Sequence, residues 1–167
     1  MIGHNHLPAL IAVHGKKRSG KGTIASYLER NYGYTVVKFA DPLKDMLRVL
    51  LRYCGFDEDT IERCIESDLK EVPWNILGGK SVRQAMQTLG TEWRELVDSD
   101  LWVNIALKRV REHIVAGRRV AIDDLRFPNE LAALKRENAA LWMVTNSRVA
   151  DGGQTGSHAS EKSLPSE

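Results

Sequence analysis

Apolar residues follow two rhythms along the chain. Short runs of β-branched, leucine and aromatic residues fill positions 9–14, 34–39, 119–122 and 140–145, and each predicts a buried strand. Elsewhere apolar residues recur every three or four positions. Residues 20–31 read as a helix. Asp41-Pro42 reads as a helix start, with a capping carboxylate and proline at the first helical position. Leu43, Met46, Leu47, Leu50, Leu51 and Cys54 then mark one apolar face, best explained by core packing. Residues 57–67 predict a short helix, and residues 73–80, with Gly78-Gly79, a loop. Ser81 and Gln84 make a capping box, backed by Val82, Ala85, Met86 and Leu89. Trp102, Ile105, Ala106 and Val110 mark a longer helix that should stop at Gly117. Residues 129–138 predict a further helix. After Asn146 the composition turns to Gly, Ser, Asp, Thr and Lys, which predicts a loop or mobile segment.

Strands that alternate with helices predict an α/β fold, its parallel sheet covered on both faces. In such sheets ligands sit at the carboxyl ends of the strands. At the end of the first run stands "GKKRSGKGT", residues 15–23. Gly15 and the pair Gly20-Lys21 have phosphate-loop spacing. The glycines let backbone N–H groups turn toward phosphate oxygens, the next helix adds its positive end, and Lys21 reaches the terminal phosphates. The residue after Lys21 is Gly22 rather than Ser or Thr, and the hydroxyl follows at Thr23, a departure from the general pattern. The "GKGT" ending resembles the nucleoside monophosphate kinases, and that resemblance implies a hydroxyl that helps hold phosphate rather than ligating Mg²⁺ directly.

A phosphate loop by itself does not distinguish a kinase from a GTPase or a motor. Lys16, Lys17 and Arg18 add cations suited to a transferring phosphoryl group. Asp123-Asp124 ends a short strand, where an acid near Mg²⁺ belongs. Arg83, Arg94 and Arg126 fall at predicted element ends and could hold a second, acceptor phosphate. Arg148 begins a polar segment containing Gly152, Gly153 and Gly156, which reads as a lid carrying a closing arginine.

The remaining composition narrows the class. The 167 residues suit one domain, with a core at 9–146 and a lid and C-terminal segment from 147 to 167. Formal charge is +2 with the signs balanced, which gives no reason to expect nucleic-acid or membrane binding. No apolar run approaches the ~20 residues of a membrane span, and the N-terminus lacks a signal-peptide pattern. Cys54 and Cys64 form no CxxC pair and read as reduced, mostly buried thiols of a cytoplasmic protein. Trp74, in "VPWNIL", is open between core and interface, and a homodimer is allowed.

Taken in order, "GKKRSGKGT", "FADPLKDML" (39–47), "RQAMQTLGTEWRELVDSDLWV" (83–103), "IDDLRFPNEL" (122–131) and "SHASE" (157–161) resemble the phage and prophage deoxynucleoside monophosphate kinases, over residues 9–164. The resemblance implies a three-layer P-loop kinase fold with a central parallel sheet of four to five strands. It implies transfer of the ATP γ-phosphate to a deoxynucleoside 5′-monophosphate with Mg²⁺, for DNA precursor supply. It further implies that Gly15, Lys16, Arg18, Ser19, Gly20, Lys21, Gly22 and Thr23 hold ATP, with Lys16 or Lys17 spanning donor and acceptor phosphates. Asp123 would sit near the metal, directly or through water. Arg126, with Arg83 or Arg94, would grip the acceptor. Asp41, Lys44, Gln87 and Glu92 would lie near the nucleoside, Asp41 reading equally well as a helix cap only. Relatives continue past "SE" through another strand and a helix, whereas this sequence ends at Glu167, and Ser157 stands where the family places Asp. The rival readings are a phosphomevalonate-kinase-like enzyme, which shares the loop and the "DP-K" start, and a nucleotide-binding protein without turnover.

Overall fold

The computed structural model describes residues 7–16 and 18–145. The expectations placed on Lys17, on Arg148 and on the segment from Asn146 onward lie outside the described residues. The chain divides into two compact units, Ala40–Trp102 and the sequence on either side of it.

The flanking unit is built on a four-stranded sheet. Its strands are β1 (Leu10–His14), β2 (Tyr34–Val36), β5 (Arg119–Ile122) and β6 (Ala140–Met143), in the order β2-β5-β1-β6. All pairs are parallel, with Ala12 opposite Ile122 and His14 opposite Met143. Alternation along the strands creates two cores. Leu10, Ala12, Val120 and Ile122 pack on α5 (Leu101–Val115) and α6 (Pro128–Arg136), through Val103, Ala106, Leu107, Val110, Ala133 and Leu134. Ile11, Val13 and Ala121 turn the other way and pack with Leu28 of α1 (Lys21–Tyr32). Both faces are therefore dry, as a parallel sheet requires. α5 ends as expected: Gly117 adopts φ 73° and the Arg118 N–H donates to the His113 carbonyl at 2.9 Å.

Two strands are shorter than predicted, each stopping close to where the strand beside it ends. β5 ends at Ile122, so β2 loses its partner beyond Val36. The Val37 N–H still donates to the Ala121 carbonyl at 3.0 Å, but the Phe39 N–H donates to Asp124 Oδ1 instead, also at 3.0 Å. β6 likewise stops at Met143, with one more bond from the Val144 N–H to the His14 carbonyl at 2.8 Å.

The Ala40–Trp102 unit holds α2 (Asp41–Tyr53), α3 (Glu58–Glu66) and α4 (Val82–Leu96). Its core joins Leu47, Leu51, Ile61, Cys64, Ile65 and Val82. The predicted α2 face is narrower than its sequence suggests. Leu43, Leu47 and Leu51 are buried, while Met46 and Leu50 are 37% and 44% exposed. The seam runs along one i, i+4, i+8 line, and Met46 and Leu50 stand about 100° off it. Beside the seam, Lys44, Arg48 and Arg52 pair with Glu66, Glu62 and Glu58 of α3 at 2.6–2.7 Å. The α2 start also needs correcting. The N-cap position is Ala40, whose carbonyl already accepts from the Lys44 N–H, so Asp41 is the first helical residue rather than the N-cap.

Residues 73–80 are not a plain loop. β3 (Pro73–Trp74) and β4 (Lys80–Ser81) form a small antiparallel hairpin, closed through left-handed Gly78 and Gly79. Trp74 meets Phe56 edge to face at 4.8 Å and packs, half-buried, against the core. The capping box is present as predicted. The Ser81 N–H donates to Gln84 Oε1, and the Gln84 N–H to Ser81 Oγ. Cys64 is buried, Cys54 half-buried, and both are free thiols.

Candidate active site

The segment after β1 has little conformational freedom. Gly15 has φ 149°, and a Cβ there would lie 2.3 Å from the Val144 carbonyl oxygen and 2.9 Å from Ser19 Oγ. The loop passes exposed Lys16 and then Arg18, a non-glycine residue in the left-handed region at φ 64°. A turn follows, with the Ser19 N–H donating to the Lys16 carbonyl at 3.1 Å. Gly20, at φ 102°, leads into α1. No side chain caps this helix and its first turn carries no acid, so its N-terminal amides and dipole are left for an anion. Gly22 and Thr23 are exposed in that first turn, and Ser19 is buried, its hydroxyl without a hydrogen-bond partner among the described residues.

Lys21 folds back across the loop. Its ammonium donates to the carbonyls of Gly15, at 2.7 Å, and Lys16, at 2.8 Å. Burial holds its pKa below the usual lysine value, and the positive charge of Arg126 pushes the same way, while Asp123 opposes both. A cation held under strain of this kind gains by meeting a phosphate.

β5 delivers the acids. Asp124 is structural, since its Oδ1 accepts from the Phe39 N–H and ties the end of β5 to the chain leaving β2. Asp123 is different. It is only 8% exposed, and Oδ1 has no hydrogen-bond partner among the described residues. Its surroundings are the phosphate loop and the end of β2. A Cβ on Gly22 would stand 3.6 Å from Asp123 Oδ2, and Lys38 Nζ lies 3.6 Å from Oδ1. Three residues on, Arg126 is exposed, and its backbone is fixed by Glu130. Glu130 is 1% exposed, and its Oε2 accepts from the N–H groups of Arg126, at 2.8 Å, and Phe127, at 3.0 Å.

The other candidates stand in the Ala40–Trp102 unit. Arg83, Gln87 and Arg94 are half-buried on one side of α4, at i, i+4 and i+11. Between them is Gly90, on which a Cβ would meet Leu43 Cδ1 of α2 at 3.2 Å. Arg83 pairs with Glu71 at 3.3 Å, and Arg94 Nε donates to the Gly90 carbonyl at 2.8 Å. Asp41 and Lys44 flank Leu43 in the first turn of α2, Lys44 being engaged by Glu66. Glu92 is exposed, five residues and so about 140° from Gln87.

The sequence matches the family described as deoxynucleotide monophosphate kinase, over residues 9–63 and 50–167. The chain belongs to the deoxynucleotide monophosphate kinase family. No curated protein matches it. A kinase in this family must hold a nucleotide, and the loop between β1 and α1 leads into a helix N-terminus of the kind that binds anions.

Two residues beside these candidates were not singled out by sequence reasoning. Glu130 had a usable signal: an acid two residues after Pro128 at a helix start commonly bonds the backbone before it. Lys38 had none, because a lysine at the end of an apolar run reads as a solvated strand end. Its place next to Asp123 follows from β5 lying between β1 and β2 in the sheet.

Proposed function

We propose that this kinase transfers the γ-phosphoryl group of ATP to a deoxynucleoside 5′-monophosphate, with Mg²⁺, in the supply of DNA precursors. The observation that carries the reading is Asp123. A buried carboxylate oxygen with no hydrogen-bond partner among the described residues stands at a strand end, beside the glycine-rich loop that Lys21 folds across. Leaving such an oxygen unbonded is costly unless something binds it in the working state. Mg²⁺ fits the donor set, because it is commonly held by one or two carboxylates together with substrate phosphates. Among the described residues no group of three or more His, Cys, Asp and Glu gathers that could hold a metal without substrate. Bound there, the ion would neutralise phosphate charge during transfer.

In the reaction an oxygen of the acceptor phosphate attacks the γ-phosphorus. The bond to the β–γ bridging oxygen breaks, ADP leaves, and the acceptor becomes a diphosphate. Loop amides and Lys21 hold the donor phosphates and meet the charge that grows on the leaving side. Arg126, near enough to Lys21 to shift its pKa, takes the acceptor phosphate. Arg83, Gln87 and Arg94 are proposed acceptor contacts, with Asp41 and Lys44 at the start of α2. Lys16 or Lys17 bridges the two phosphates.

The test is an ADP-release assay with ATP and each of the four deoxynucleoside monophosphates, with mevalonate 5-phosphate as the contrast. Turnover with at least one nucleotide and none with mevalonate 5-phosphate is expected. ADP formation with no nucleotide acceptor overturns the reading. In the same assay, Arg126→Ala should lower acceptor kcat/KM by roughly 30- to 150-fold, the loss of about 2–3 kcal/mol of charge-assisted bonding. Lysine should restore only part of it, lacking the guanidinium fork. Weakened ATP binding with normal acceptor kinetics would remove Arg126 from the acceptor side.

A further inference from the structure

Lys38 is placed with unusual definition for a lysine at a strand end. The residues on either side of it are pinned, Val37 by the bond to the Ala121 carbonyl and Phe39 by the bond to Asp124 Oδ1. The backbone of Lys38 is thereby fixed where β5 turns out Asp123. Its ammonium stands 3.6 Å from Asp123 Oδ1, close enough for charge attraction and too far for a hydrogen bond. The carboxylate is almost fully buried, whereas the Lys38 side chain is 35% exposed and has a route to water.

The two groups therefore differ in what they can do. Asp123 cannot leave, and a buried carboxylate needs a nearby positive charge. Lys38 supplies that charge without occupying the lone pairs of Oδ1. A long, flexible, partly solvated side chain can give way when a stronger cation arrives. We propose that Lys38 is a displaceable internal counter-ion of Asp123, holding the electrostatic place of the divalent cation until the cation binds. It opposes metal binding to the empty enzyme and thereby restricts metal loading to the nucleotide-bound state, in which phosphates add their own negative charge. This rests on the reading of Asp123 as the metal-side acid.

The experiment measures Mn²⁺ alone binding to the nucleotide-free full chain, followed by water-proton relaxation. Lys38→Met should bind Mn²⁺ about tenfold more tightly than the wild type, a coupling of ordinary size between two sites. Lys38→Arg, which keeps the charge, should stay near the wild type. Asp123→Asn should lose the binding, and Lys38→Met should not restore it in that background. If Asp123→Asn abolishes binding but Lys38→Met binds no more tightly than the wild type, the counter-ion role is wrong and the metal reading of Asp123 stands. If Mn²⁺ binding is the same with Asp123→Asn, both are wrong. A thermal melt of each variant, expected to stay within a few degrees of the wild type, separates these outcomes from unfolding.

Discussion

Gly15→Ala is expected to give a protein that is less stable and turns over on the order of 10²-fold more slowly. The added Cβ would stand 2.3 Å from the Val144 carbonyl oxygen, a backbone atom, and 2.9 Å from Ser19 Oγ. The serine can turn away, but the carbonyl cannot move without disturbing the edge where the Val144 N–H bonds the His14 carbonyl. The backbone adds a second objection, because φ 149° is closed to residues with a Cβ. Overpacking and backbone strain of this sort each cost about 1–3 kcal/mol. Together they should lower the melting temperature by roughly 10 °C in a chain of this size. Any relief must come from displacing the loop, and a displacement of about 1 Å is enough to cost on the order of 10²-fold in rate. A thermal melt and an ATP-binding titration check the two halves. A variant that melts and binds like the wild type would show that the loop tolerates a side chain here.

Lys21→Ala should separate function from folding more cleanly. Lys21 is half-buried at the first position of α1, and alanine suits a helix at least as well. What is lost from the ligand-free protein is a pair of hydrogen bonds, to the carbonyls of Gly15 and Lys16. Since a hydrogen bond adds only about 1 kcal/mol net, the melting temperature should fall by a few degrees at most. On the proposed function the same ammonium meets the donor phosphates. Removing one preorganised donor from such a site typically costs about 10²- to 10³-fold in turnover. The comparison is between kcat and the melting curve of one variant. Turnover near the wild-type rate would remove Lys21 from the transfer step, and with it the main reason for reading the loop as catalytic.

The central sheet and the phosphate loop were legible because each rests on short-range pattern. Four apolar runs became four parallel strands, and glycine spacing after the first became a strand–loop–helix with Lys21 across it. The capping box at Ser81 and the stop at Gly117 were legible for the same reason: a cap joins residues three or four apart. Patterns that need a partner were less so. Met46 and Leu50 look like core residues until the neighbouring helices show which line of α2 they cover. The 73–81 hairpin is hidden because two-residue strands carry no periodicity.

By itself the sequence determined the alternation of strands and helices, the glycine-rich loop with Lys21 after β1, and Asp123-Asp124 at the end of β5. These follow from local propensity and from the rule that parallel strands present their carboxyl ends together. The tertiary structure sets the two acids apart physically. Asp124 Oδ1 accepts from the Phe39 N–H, and Asp123 is buried with one oxygen that has no hydrogen-bond partner among the described residues. It also decided that Lys38 would face that oxygen, that Glu130 would clamp the backbone of Arg126, and that Gly15 has no room for a side chain. Each of these depends on residues far apart in the chain, or on how tightly a turn is packed. The order in which β2, β5, β1 and β6 lie side by side, which no local pattern encodes, is what brings Lys38 and Asp123 together.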